Sequence, residues 1–256
     1  MGAGREPLGK NTVMVIPIYD GNPFAFKAPP YASWGLIAAN FIVFLWEIVS
    51  GAGEINSHTA SVLSLTFRPD SVLTNAPFSG ANLPWPATLL TYTFIHGNWL
   101  HLIGNMMFLW VFGDDVEVAL GRVRFLLFYF LCGAAAALAH FAANPTSRLP
   151  LLGASGAVAG IIAAYLMLHP CRKIWVLALM RFPIKVAAEW ALGFWIIVQV
   201  INAFFSADET VAWWTHIGGF VAGGLLVIVM RLPGVKLFDC DQDRLLKTKP
   251  PARIAT

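Results

Sequence analysis

The chain has 256 residues, of which 57% are hydrophobic and only 12% are charged. Because soluble domains carry roughly 25% charged residues, this composition excludes an ordinary soluble protein. The formal net charge of +3 comes from basic residues dispersed along the chain, so it does not indicate a nucleic-acid partner. We therefore expect an integral membrane protein whose main solvent is the lipid bilayer.

The first 28 residues are polar and rich in turn-forming residues, and they lack the apolar core of a secretory signal. We expect residues 1–30 to form a cytoplasmic N-terminal segment. The first membrane helix then serves as the insertion signal.

Six apolar stretches follow, each close to the ~20 residues that a helix needs to cross the hydrocarbon core. They predict an all-α bundle of six transmembrane helices over residues 31–232, at 31–49, 98–112, 123–143, 153–168, 186–205 and 213–232. The second and fourth stretches are short for a full crossing, so we expect them to begin below one membrane surface. The segment between the first two contains several aromatic residues, and we expect it to lie partly in the outer interface.

The orientation follows from the basic residues, because cytoplasmic segments carry the excess of Lys and Arg. With the N-terminus inside, every Lys and Arg except Arg68 and Arg148 falls in an inside segment. Both termini are therefore expected in the cytoplasm, with residues 233–256 as a disordered tail. Short tails and the lack of a transit peptide favour a bacterial inner membrane.

The three cysteines are an odd number without paired spacing: Cys132, Cys171 and Cys240. One is expected in a span and two on the cytoplasmic side. This pattern predicts no disulfide framework.

Polar residues at membrane depth are costly, so each raises a question of function. In the second span, His101 and Asn105 are four residues apart and share one helix face, where both can donate hydrogen bonds to one point. The alternative is that the pair joins neighbouring helices. His96 is expected near the outer end of this span, in a structural hydrogen bond.

In the fourth span, Ser155 lies among small residues at the start of an apolar helix, in the sequence Gly-Ala-Ser-Gly. Small residues four apart, such as Gly156 and Gly160, usually serve close helix packing. That interpretation stands beside a role for the hydroxyl group of Ser155 in chemistry.

In the sixth span, His216 precedes Gly219 and Gly223 on one helix face. A helix this smooth can approach Gly153 and Gly156 closely, which would bring the histidine to Ser155. A serine needs a base to become a good nucleophile, and histidine is the commonest one. The fourth and sixth spans contain no acid, so we expect a Ser-His dyad oriented by packing.

The acids inside the other spans, Glu47 and Glu189, are expected near the cytoplasmic side in structural or interfacial roles. Metal binding is the competing use of the histidines. His96 and His101 are five residues apart, and no cysteine or acid joins them in the zinc pattern of one helix. We expect no metal and no cofactor.

Three motifs in this order resemble the rhomboid protease family: HGNWLHLIGN, GASG before an apolar helix, and HIGGFVAGG in the last span. The resemblance extends over residues 31–232 and implies a six-span membrane protease domain. The segment 116–124, with Glu117 and Gly121, resembles the family's polar turn between spans two and three. The region of Phe67 and Arg68 resembles its large first loop.

The resemblance implies that Ser155 is the nucleophile and His216 the general base. His101, Asn105 and the Ser155 backbone N–H would form the oxyanion hole, and Gly153 would keep the approach to it open. One departure is Ala159, where some members carry an aromatic residue that stacks on the histidine. The implied substrates are single-span membrane proteins cut near the outer membrane face.

Two alternatives remain beside an intramembrane serine endopeptidase. One is a catalytically inactive rhomboid-like protein that binds membrane clients, against which the retention of Ser155 and His216 argues. The other is a small transporter that uses the histidines as a proton relay. Two inverted halves with broken helices would favour a transporter, and the sequence has no such internal repeat.

Overall fold

The computed structural model describes residues 16–20, 29–51, 60–75, 83–178, 182–206 and 211–240. This part of the chain is mostly helical, and its long helices lie at the predicted positions. They are α1 (Tyr31–Val49), α5 (Trp99–Leu120), α6 (Arg122–Ala143), α7 (Ser155–Leu168), α8 (Ala188–Phe205) and α9 (Trp213–Met230). The short helices α2 (Ala60–Leu63), α3 (Pro69–Thr74) and α4 (Trp85–Thr91) lie between α1 and α5.

Within the described residues, α1, α6, α8 and α9 are long and apolar enough to cross a membrane, whereas α7 is a shorter apolar helix of 14 residues. These helices, together with the composition, make the chain an integral membrane protein. The number of six spans stays a prediction.

Helix α5 runs eight residues past its predicted end at residue 112, although this extension contains three acids. The charges of two of these acids have partners inside the protein. The carboxylate of Glu117 accepts from the backbone N–H groups of Ala32 (3.1 Å) and Ser33 (2.7 Å) at the start of α1. Asp115 accepts from Arg172. The first N–H groups of a helix have no intrahelical partner and favour a negative charge. Through its hydrogen bonds to these groups, Glu117 connects α5 to the start of α1.

The prediction of an all-α protein needs a correction, because three strands form a small antiparallel sheet in the order β1-β2-β3. They are β1 (Ile16–Tyr19), β2 (Lys173–Ala178) and β3 (Phe182–Ala187). The sequence analysis predicted no strand in the segment 173–187. The side chains of β2 alternate: Ile174 and Val176 are buried against the helices, whereas Lys173 and Trp175 are exposed.

The prediction that the cysteines form no disulfide is wrong for two of them, because Cys171 and Cys240 are joined across 69 residues. Cys132 is free and buried. The backbone N–H of Phe238 also donates to Met167 O (2.6 Å), so the described tail packs on the bundle. The expected disorder of residues 233–256 is therefore wrong up to residue 240, and the remainder lies outside the described residues.

A buried ion network joins several segments near the end of α7. The guanidinium of Arg172 donates to Asp115 (2.5 Å) and Asp20 (3.2 Å), and the hydroxyl of Tyr165 donates to Asp20 (3.1 Å). The N-terminal strand, the segment after α7 and the C-terminal tail thus meet at one end. The residues of the predicted active site lie around the start of α7, at the opposite end of that helix.

Helix α7 is the central helix, since nearly all its residues are buried between α5, α6 and α9. Its contact with α9 is made by backbone. A Cβ atom added to Gly219 would overlap the carbonyl of Gly156, and one added to Gly223 would overlap that of Gly160. The packing role considered for these glycines is therefore real, and it also fixes where the residues beside them lie.

Candidate active site

Ser155 and His216 lie beside the point where the starts of α7 and α9 cross. Ser155 precedes Gly156, whose backbone touches Gly219, and a Cβ atom at Gly156 would be 3.6 Å from the carbonyl oxygen of Thr215. Thr215 is the residue before His216. The glycine contact therefore places the starts of α7 and α9 side by side, and both Ser155 and His216 are partly exposed.

Ser155 is the first residue of α7, after Ala154 at the N-cap position. The first N–H groups of a helix have no intrahelical partner and carry its positive end. The backbone N–H of Ser155 is therefore suited to donate to a developing negative charge beside its own hydroxyl group.

The second group at the site consists of His101 and Asn105 on α5, facing Gly153 in the loop before α7. A Cβ atom at Gly153 would lie 2.6 Å from Cε1 and Nε2 of His101 and 3.6 Å from Nδ2 of Asn105. Gly153 also has a φ of +107°, which only glycine adopts easily. Both reasons require glycine here, two residues before Ser155.

Helix α5 begins in a way that sets the position of His101. The Asn98 side chain caps the helix by accepting from the backbone N–H of His101 (2.8 Å), as asparagine commonly does. Gly153, which faces His101, lies two residues before Ser155. The α5 pair and the residues at the α7–α9 crossing thus form one cluster.

His96 has the structural hydrogen-bonding role expected of it. It is fully buried, its Nδ1 lies 3.1 Å from Phe94 O, and its Nε2 lies 3.1 Å from Nδ2 of Asn105. The amide nitrogen of Asn105 can only donate, so Nε2 accepts and Nδ1 carries the hydrogen that is donated to Phe94 O. His96 therefore fixes the direction of the Asn105 amide.

Glu47 lies at the active-site end of α1, so with the N-terminus inside, as predicted, it lies near the outer side and not near the cytoplasmic side, where it was expected. It is fully buried, and its carboxylate accepts from the backbone N–H of His96 (3.2 Å). The reason is the direction in which α1 runs. The helix begins at the end where Glu117 caps it, so Glu47 lies at the opposite end. Glu47 is a structural support of the His96 loop.

Tyr92 holds the loop before α7 in place. Its carbonyl oxygen accepts from the backbone N–H of Gly153 (3.0 Å), and its hydroxyl donates to Gly133 O on α6 (2.7 Å). A backbone bridge between Phe67 and Leu151 adds a second attachment. The large loop between α1 and α5 thus positions the residues that precede Ser155.

His216 has two neighbours on α8 that the sequence analysis missed. Its Nδ1 lies 2.7 Å from Oε1 of Gln199. The ring centroid of Trp195, one turn before Gln199 on α8, lies 6.0 Å from that of His216. The ring centroid of Trp213, on α9 itself, lies 6.2 Å from that of His216. An aromatic neighbour is thus supplied by α8 instead of position 159. Gln199 could have been found, since it is a polar residue within a predicted span.

This arrangement contains the groups that acyl transfer requires: the hydroxyl of Ser155, the imidazole of His216, and N–H donors on His101, Asn105 and the Ser155 backbone. The described residues contain no group of three or more His, Cys, Asp or Glu side chains that could hold a metal ion.

Comparison with known proteins gives one consistent family. A family model described as the Rhomboid domain matches residues 85–233. The chain is 33% identical over 167 residues to Rhomboid-like protein 11, chloroplastic, of Arabidopsis thaliana, covering 63% of this chain and 58% of that protein. It is 26% identical over 247 residues to Rhomboid protein 1, mitochondrial, of Saccharomyces cerevisiae, covering 87% and 64%.

A bacterial relative is the Rhomboid protease GluP of Bacillus subtilis, which is 27% identical over 209 residues, covering 82% of this chain and 36% of that protein. The chain thus spans between about a third and two thirds of the length of these relatives. Their names include chloroplastic and mitochondrial proteins. The expected bacterial inner membrane therefore stays a prediction.

Proposed function

Because this chain belongs to the rhomboid family, we propose that it is an intramembrane serine endopeptidase that cleaves membrane proteins through a Ser155–His216 dyad. The observation that supports the proposal is the backbone contact of Gly156 with Gly219, since Gly156 follows Ser155 and a Cβ atom on it would lie 3.6 Å from the carbonyl oxygen of Thr215, the residue before His216. The relative named as a protease, GluP, supports the same reaction class.

In the proposed mechanism, Oγ of Ser155 attacks the carbonyl carbon of the scissile peptide bond while His216 takes the hydroxyl proton. The imidazolium of His216 then donates this proton to the leaving amine, and an acyl-enzyme remains. A water molecule, deprotonated by His216, hydrolyses the ester and frees Ser155. A neutral imidazole at the start of the cycle is required for both proton removals.

The negative charge on the substrate's carbonyl oxygen would be stabilised by His101, Asn105 and the backbone N–H of Ser155. Asn105 is 7% exposed and oriented by His96, and His101 is positioned by the Asn98 cap. Donors held in advance need no reorganisation during the reaction, which is why such sites contribute strongly to catalysis.

We propose single-span membrane proteins as substrates, cut near the outer membrane face. A peptide bond inside a helix is shielded by its own hydrogen bonds, so a substrate helix that unwinds easily is cut more readily. We also propose a protease domain over residues 31–232 with both termini in the cytoplasm. The Cys171–Cys240 disulfide would then lie on the cytoplasmic side, where disulfides are rare.

Labelling with a serine-reactive fluorophosphonate tests this function against both alternatives. We expect the probe to modify Ser155 in the folded wild-type protein, because only an activated hydroxyl attacks phosphorus at a useful rate. Mass spectrometry of the labelled peptide identifies the site, and Ser155→Ala should take up no probe. A folded protein that remains unlabelled would favour an inactive client-binding protein or a transporter.

Asn105→Ala is expected to lower kcat by about 10²-fold while Ser155 still reacts with the fluorophosphonate. Loss of one oxyanion-hole donor typically costs ~10²–10³ in turnover and leaves the nucleophile in place. Cleavage of a model transmembrane substrate measures the effect.

The matched control is Asn40→Ala, which removes another fully buried asparagine, one whose amide donates to Leu36 O within α1. It should retain wild-type kcat. An unchanged kcat in Asn105→Ala would favour the alternative that Asn105 only joins neighbouring helices.

A further inference from the structure

We infer that Gln199 is a positioning residue that holds His216 in the tautomer and orientation needed to act as the base. This inference rests on the proposed function of the Ser155–His216 pair. It concerns a residue on α8, a helix to which the sequence motifs assign no part of the site.

Gln199 is placed unusually for a polar side chain. All 18 residues of α8 are described, and four of them are buried: Ala188, Ala191, Leu192 and Gln199. Gln199 is 6% exposed, so α8 turns its single buried polar side chain toward α9. Burying an amide costs free energy unless it is hydrogen-bonded, and here Oε1 has its partner on His216 at 2.7 Å.

The chemistry of this bond selects one tautomer of His216. Oε1 of glutamine can only accept, so the hydrogen of a neutral His216 must be on Nδ1. Nε2 then carries the lone pair and is the nitrogen that can take the proton of Ser155. An acceptor on the second ring nitrogen is how histidine bases are generally oriented.

An amide at this position avoids the desolvation cost that a carboxylate would have. Neither α7 nor α9 contains Asp or Glu, and a carboxylate at this depth would have to be desolvated at high cost. Glutamine provides the acceptor oxygen without a charge. Unlike the aspartate of a triad, it orients the ring but gives little stabilisation to the imidazolium.

A second contact from the same helix restricts the ring further. Trp195 is one turn before Gln199 on α8, and its ring centroid lies 6.0 Å from that of His216. His101 on α5 faces the same site, and the side-chain hydrogen bond of His216 goes to Gln199. The direct partner that can set the tautomer of His216 is therefore Gln199.

A purely structural role makes a different prediction. If Gln199 only joins α8 to α9, its loss lowers stability and leaves the pH dependence of turnover unchanged. If it positions His216, its loss lowers kcat at little cost in KM, and an acceptor of different charge alters the pH dependence.

The test compares Gln199→Met, Gln199→Glu and the control Asn202→Met in the full chain. Methionine keeps the length of glutamine and lacks a strong acceptor. Asn202 is on the same helix, and its amide donates to Val198 O (2.9 Å) within α8, so its loss removes a polar group without touching His216. Cleavage of a transmembrane substrate gives kcat and KM across pH, and thermal unfolding in detergent gives Tm.

We expect Gln199→Met to lower kcat by about ten- to a hundredfold with KM within about twofold of wild type, which is less than the ~10⁴ loss for a charged triad partner. Gln199→Glu should restore most of the turnover above neutral pH. Its acid limb should move to higher pH, because a carboxylate stabilises the imidazolium. Asn202→Met should keep wild-type kcat.

The inference is overturned if Gln199→Met keeps wild-type kcat, or if folded Gln199→Glu neither restores turnover nor shifts the acid limb. If Gln199→Glu does not fold, fluorophosphonate labelling decides: Ser155 in Gln199→Met must react at least about tenfold more slowly than in wild type. Failure of the dyad itself is distinguishable, because Ser155→Ala would then still cleave. An inactive Ser155→Ala with an unaffected Gln199→Met rejects only the role of Gln199.

Discussion

Ser155→Ala is expected to insert and fold normally and to lose substrate cleavage by about 10⁴-fold or more. The hydroxyl is the group that forms the covalent intermediate, and loss of the nucleophile in serine hydrolases has effects of this size or larger. Alanine fits at the start of α7, since the change removes one partly exposed oxygen atom. Cleavage of a single-span substrate in liposomes, followed by gel electrophoresis, gives the rate.

A matched control and a double mutant make this result specific. Ser64→Ala removes a hydroxyl that donates to Ser61 O in an exposed hydrogen bond, and it should cleave at the wild-type rate. Ser155→Ala with His216→Ala should be no slower than either single variant, because the two groups act as a unit. Cleavage by purified Ser155→Ala near the wild-type rate would reject the proposed mechanism.

Gly219→Ala is expected to destabilise the protein by about 3 kcal/mol and to reduce activity as well. A Cβ atom at this position would overlap the backbone carbonyl of Gly156, and a backbone atom inside a packed helix has little room to move. Overpacking a tight contact typically costs 1–3 kcal/mol, and sometimes more. Because Gly156 follows Ser155 and Gly219 is on the same helix as His216, any separation of α7 from α9 would also move Ser155 away from His216.

Gly224→Ala on the same helix is the control for this change. The nearest atom to a Cβ there is the sulfur of Met167, at 3.5 Å, which is an ordinary contact. Thermal unfolding in detergent should show a clear fall in Tm for Gly219→Ala and little change for Gly224→Ala. Equal Tm values for the two variants would show that α7 and α9 are not held by this backbone contact.

The sequence by itself determined the class of the protein and the positions of its main helices. Both depend on local properties: long apolar stretches must form helices in lipid because every backbone group has to be hydrogen-bonded. The sequence also identified the family. The ordered motifs around His101, Ser155 and His216 lie within the residues that the Rhomboid domain model matches. The helix boundaries were less exact wherever charged residues had buried partners, as in α5.

Only the tertiary structure decided which distant residues are neighbours. The Cys171–Cys240 disulfide and the β1–β2 pairing join segments far apart in the chain, and neither spacing nor composition indicates such contacts. The same holds for Glu47 beneath the His96 loop and Gln199 beside His216. A polar residue at membrane depth can be recognised in a sequence, but its partner depends on how helices are rotated and packed. In this protein that packing is set by the glycine contacts between α7 and α9, where the backbones meet directly.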